Sequence, residues 1–128
     1  MSNKGLRALA GRRKSLRDIM LDGGLAALGD ALVNFAYSLA LSLDKGAPTG
    51  SRLDNRVLSE ALRASGLREA APKRMSRHQL ADAAEALLAY AWLMGVMGFW
   101  DLVEALRGHD IISGLAALLR AVAEKLGD

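Results

Sequence analysis

Residues 27–41, ALGDALVNFAYSLAL, constrain the fold more than any other stretch of this chain. The run is almost unbroken in its apolar character and reads as a core helix, yet it carries one carboxylate, Asp30, and one amide, Asn34. An isolated ionised carboxylate in apolar surroundings costs several kcal/mol, so it is kept neutral, paired or bound to a cation. The fold must therefore bring a partner to Asp30.

Helical apolar spacing continues along the whole chain, and no segment alternates at period two for long enough to make a strand. The expected class is all-α. Ser15 to Asp22 reads as a short helix stopped by Gly23 and Gly24, followed by a long helix from about Leu25 to Leu43. The loop DKGAPTGSRL breaks the pattern, and Asp54 then caps a helix that runs to about Ser65, before the stop at Gly66. A basic connector, REAAPKRMSRHQ, leads to a second long apolar helix from about Arg77 to Met94. Two amphipathic helices, Met97 to Arg107 and Asp110 to Leu126, complete the pattern.

With 128 residues, 52% of them hydrophobic, the chain can build one real core but not two. The expected organisation is a basic N-terminal arm over residues 1–14, including Arg12, Arg13 and Lys14, and a single helical domain over residues 15–128. No apolar segment follows the basic arm, so it is not a secretory signal. The apolar stretch from Ala86 to Trp100 is shorter than the roughly 18 residues of a membrane span and contains Gly95 and Gly98, so no membrane partner is expected. The absence of cysteine excludes a disulfide framework, a thiolate zinc site and a thiol nucleophile, and fits the cytoplasm.

The second long helix repeats the oddity of the first. In HQLADAAEALLAYAWLMG, Asp82 and Glu85 stand at i and i+3 on one face among apolar residues, and His78 joins that face one turn earlier. If the two long helices pack together, Asp30, Asp82 and Glu85 converge. At about 5 Å and an effective dielectric near 20, each like-charge pair repels by roughly 3 kcal/mol, which demands a hard divalent cation or a raised pKa. Oxygen ligands favour magnesium or manganese. The plainer alternative is structural: Asp82 complements a helix dipole, and Glu85 pairs with Arg77 or Lys73.

LGDALVNFAYSLAL, followed about fifty residues later by LADAAEALLAYAWLMG, resembles the two signature segments of the ribonuclease III catalytic domain. The likeness lies in Leu-Gly-Asp-Ala at Leu28 to Ala31 and in Asp-x-x-Glu-Ala-Leu at Asp82 to Leu87. LDNRVLSEALRASGL resembles the family's middle helix. The set GDxLVNFxYSLAL, PTGxR and AEALxAxAWLMG is similar to a compact archaeal branch of the superfamily, without a separate double-stranded-RNA-binding domain. The chain departs from the usual pattern at Ala26, where a glutamate is normal, and at Ala27, where an aromatic is normal. A minimal bacterial class also lacks that glutamate and still cleaves duplex RNA.

The resemblance implies a ribonuclease III-like helical endonuclease that hydrolyses phosphodiester bonds of double-stranded or structured RNA. It implies Asp30, Glu85 and Asp82 as catalytic metal ligands for magnesium, with manganese as a substitute, and a homodimer. Asn34 is either a group that bonds a water on the cation or a phosphate, or a satisfied core amide. Lys73, Arg74, Arg77 and His78, with Arg12, Arg13 and Lys14, are the candidate RNA contacts, against plain solvated charge at a net charge of only +3. The rival function is a non-catalytic dimeric RNA-binding or scaffold protein with a residual site.

Overall fold

The computed structural model describes residues 4–12 and 14–127. Arg13, a member of the expected basic arm, lies outside them. The described residues form helices α1 (Lys4–Ala10), α2 (Leu16–Met20), α3 (Gly23–Lys45), α4 (Asn55–Ala64), α5 (Arg77–Leu93), α6 (Phe99–Ala105) and α7 (Ile111–Leu126), with a 3-10 turn at Leu67–Ala70. No strand occurs among them, and the all-α class holds.

Helix α5 is the axis of the molecule. Apart from its exposed first turn and the acidic positions Asp82 and Glu85 it is apolar, with Leu80, Leu87, Leu88 and Leu93 fully buried, and α1, α2, α3, α4 and α7 all pack on it. A helix this apolar is stable only as a buried element, which is the position it takes. Its start is fixed by a capping box. The Ser76 hydroxyl accepts from the Gln79 N–H at 3.1 Å, and the Gln79 side chain accepts from the Ser76 N–H at 2.8 Å.

Helix α3 presents three stripes. Leu25, Gly29, Val33, Ala36 and Ala40 face the core. Asp30, Asn34, Ser38 and Ser42, spaced four apart, form a polar stripe, and Leu28, Phe35 and Leu43 face outward. By length and composition α3 would pass for a membrane span, but its core stripe is packed on α5.

Two elements differ from the sequence-based expectation. Gly23 and Gly24 do not stop a helix; they form the first turn of α3, because the Asp22 carboxylate caps it by accepting from the Leu25 N–H at 2.9 Å. A good cap with tertiary packing outweighs the low helix propensity of two glycines. Within the N-terminal arm, residues 4–10 are helical, and Ala10 is buried against the core.

Candidate active site

The site exists because α3 and α5 approach closely at one point. Gly29 is buried there, and a Cβ added to it would overlap the main-chain carbonyl of Glu85. Only a residue without a side chain lets the two backbones come this near. Asp30, next along α3, is thereby set against Glu85. The capping box starts α5 so that Asp82 and Glu85, three residues apart, share one face.

Glu85 is only 3% exposed. Burial, then a hydrogen bond with the Asp30 side chain, then the negative charges of Asp30 and Asp82 push its pKa from 4.5 up to about 8, against a smaller opposing pull from Arg52. In the ion-free chain Glu85 is therefore neutral at pH 7 and its carboxyl O–H is the donor in the hydrogen bond with Asp30. The Asp30 carboxylate also accepts from the Asn34 amide at 3.0 Å and from Arg52 Nη2 at 3.1 Å. Asp82 lies 3.6 Å from His78 Nε2, and the other ring nitrogen of His78 is 3.2 Å from the Asn55 amide nitrogen.

All three acids line one open cleft of about 350 Å³, together with Arg52, Asn55, His78 and the small residues Gly23, Ala26 and Ala27. A smaller cavity of about 170 Å³ adjoins it between α2 and α5 and shares Gly23, Ala26 and Asp82 with it. Among the described residues, no three acidic or histidine side chains are gathered tightly enough to surround one ion. The joined pair is Asp30 with Glu85; Asp82 is turned toward His78 at the wall of the cleft. The side chains of Asp30, Glu85 and Asp82 offer oxygen donors, and Glu85 holds its proton chiefly because it is buried.

Comparison with models of known protein families matches residues 23–128 to Ribonuclease III. The chain belongs to the ribonuclease III family. A search among curated proteins finds no match. Membership of the ribonuclease III family supports a general endoribonuclease role, and the matched region contains Asp30, Asp82, Glu85 and Arg52.

The remaining sequence-selected residues divide. Asn34 is a fully engaged amide: its nitrogen donates to the Asp30 carboxylate and to the Asp30 carbonyl at 2.8 Å, and its oxygen accepts from the Leu53 N–H at 2.7 Å. It orients Asp30 and pins the following loop at once. Lys73, Arg74 and Arg77 are exposed around the start of α5, and exposed His78 lines the cleft itself. Arg12 is exposed. Lys14 is turned inward, donating to the Ala10 carbonyl at 2.8 Å and standing 4.0 Å from Asp22.

Sequence reasoning did not select Arg52, Asn55 or Gly29 as site residues. Arg52 had a signal in the PTGSR segment, and Gly29 in Leu-Gly-Asp-Ala, but neither motif says that one residue answers Asp30 and the other sets the helix spacing. Asn55, the first residue of α4, carries no signal that separates it from an ordinary polar helix start.

Proposed function

We propose that the chain is a metal-dependent endoribonuclease that cleaves double-stranded or structured RNA by phosphodiester hydrolysis, as a homodimer of the compact archaeal type its motifs resemble. The observation that carries the proposal is Glu85, a carboxyl buried beside a second carboxylate at the bottom of an open cleft. A purely structural helix crossing gains nothing from such a group, because an apolar residue of similar volume would pack there without desolvation cost. A cation site does.

Asp30, Glu85 and Asp82 would hold magnesium or manganese. When bound, the cation supplies activation of the attacking water and charge neutralisation at the leaving 3′ oxygen. Asn34 keeps the Asp30 carboxylate aimed at the cleft, and Gly29 keeps Asp30 and Glu85 in register. Lys73, Arg74, Arg77 and His78 border the start of α5, where they can meet the phosphates of an A-form helix, which is recognised by shape, phosphate and 2′-OH contacts.

The outward stripe of α3 supports the dimer. Phe35 is 64% exposed although it stacks on Phe99 with ring centroids 5.4 Å apart, and Trp100 beside them is 59% exposed. A contiguous patch of this kind, extended along α3 by Leu28 and Leu43, is suited to a two-fold copy of itself.

The rival, a non-catalytic RNA-binding or scaffold protein, is favoured by Ala26, which brings no oxygen to the cleft, and by Arg52, which already answers Asp30. Incubation of the purified chain with labelled duplex RNA separates the two. Cleavage with magnesium or manganese, absent in chelator and reduced by orders of magnitude in Glu85→Gln, supports the nuclease. A dimeric protein that binds several duplexes and cuts none supports the scaffold.

A further inference from the structure

The loop between α3 and α4 is fastened to the polar stripe of α3 rung by rung. Ser42 Oγ accepts from the Thr49 N–H at 3.0 Å, and its single proton faces the Ser38 carbonyl at 2.8 Å and the Thr49 carbonyl at 3.1 Å. One turn back, Ser38 Oγ accepts from the Ser51 N–H at 2.9 Å and donates to the Ser51 carbonyl at 3.0 Å. Another turn back, Asn34 takes the Leu53 N–H at 2.7 Å. The fourth polar position in this register is Asp30, and its loop partner is the side chain of Arg52, at 3.1 and 3.4 Å from the two carboxylate oxygens.

The backbone of Arg52 is thus held on both sides, at Ser51 and at Leu53, while its side chain is 76% exposed. A guanidinium anchored at its root and exposed at its tip can exchange partners at little cost, since an exposed ion pair contributes at most about 1 kcal/mol. Its planar fork matches a phosphate as well as a carboxylate. It also shares the cleft with Asp30, Asp82 and Glu85, so it competes for the charge that a divalent cation would use.

We propose that Arg52 is the built-in counter-ion of this site: it holds Asp30 while no divalent cation is bound, yields that carboxylate to the cation, and then turns to a phosphate oxygen of the RNA. This role rests on the nuclease reading above. It makes a distinctive demand, because removing Arg52 must strengthen cation binding and weaken catalysis at the same time.

The test measures binding of Mn²⁺ to the purified full chain, by the electron-spin signal of the free ion, alongside steady-state cleavage of a labelled RNA duplex. The proteins compared are the parent, Arg52→Ala, Arg52→Lys, Glu85→Gln, and Arg56→Ala as a control on an α4 arginine paired with Glu60. Loss of one positive charge and one competing ion pair should tighten Mn²⁺ binding in Arg52→Ala by roughly three- to tenfold. The same variant should lose at least about tenfold in kcat/KM, Arg52→Lys should fall between it and the parent, and Arg56→Ala should match the parent. If Arg52 served only to hold the loop, its removal would weaken Mn²⁺ binding and cleavage together, and that result would overturn the proposal. Mn²⁺ binding that depends on Glu85 but is unchanged in Arg52→Ala would overturn it alone. A parent chain that binds no Mn²⁺ would overturn the metal reading, and this role with it.

Discussion

In the ion-free protein, Glu85→Gln should abolish a pH dependence of stability that the parent displays. Between pH 4.5 and about 8 the folded parent keeps a proton on Glu85 that the unfolded chain has already released. The contribution of Glu85 to stability is therefore highest below pH 4.5 and declines as pH rises through that window, and the loss is complete once Glu85 ionises in the folded state. At about 1.4 kcal/mol per pH unit, a displacement of this size corresponds to a ceiling of roughly 5 kcal/mol, and water entry or local relaxation around a cleft open to solvent would reduce it to a few kcal/mol. Gln keeps the volume, and its amide can donate to Asp30 where the protonated carboxyl did, so the variant should match the parent near pH 4.5. Above pH 8 it should exceed the parent by about 2–4 kcal/mol. The assay is urea unfolding followed by circular dichroism in chelator, from pH 4.5 to 9 and at one protein concentration, because association would add its own stabilisation. The parent-minus-variant difference isolates Glu85 from every other titrating group. Magnesium at about a hundred times its dissociation constant should return about 2.7 kcal/mol to the parent and far less to the variant. Parallel pH profiles for the two proteins would refute the buried-acid argument, whatever the cleavage assays show.

Gly29→Ala should destabilise the chain by about 2–4 kcal/mol in urea unfolding and weaken Mn²⁺ binding, since the added methyl must push α3 away from the Glu85 backbone. Normal stability would mean that the helices do not touch there. Phe35→Asp should convert a dimer to a monomer in sedimentation velocity without loss of helix content, because it places a charge in the exposed aromatic patch. A parent that sediments as a monomer would exclude the two-site geometry. Replacing Lys73, Arg74 and Arg77 together by Ala should weaken binding of all duplex RNAs alike and reduce the slope of log affinity against log salt; an unchanged slope would return these residues to solvated charge.

Asp30, Asp82 and Glu85 are legible in the sequence because each is a carboxylate in a run that is otherwise apolar, and the cost of burying such a group demands an explanation before any fold is known. The long helices are legible for the related reason that their apolar spacing persists over many turns. Arg52 is not legible in this way. Its partnership with Asp30 depends on a loop pairing with a helix through main-chain groups, and main-chain donors leave no trace in residue identity. Gly23 and Gly24 depart from the expected stop because a glycine pair signals one only where no cap precedes it, and Asp22 precedes this one. Gly29 could be recognised as part of a motif, yet what it permits depends on an α5 backbone more than fifty residues away.

The rungs at Ser42, Ser38 and Asn34 give this loop an unusual spectroscopic property. The amide hydrogens of Thr49, Ser51 and Leu53 belong to a segment outside any helix, where exchange with solvent is ordinarily fast, yet each is bonded to a side chain of α3. Their exchange rates therefore report the closure of the loop residue by residue. The amide of Leu53 is bonded to the same Asn34 that holds Asp30, so its exchange reports, without substrate or turnover, the rung that stands beside that carboxylate.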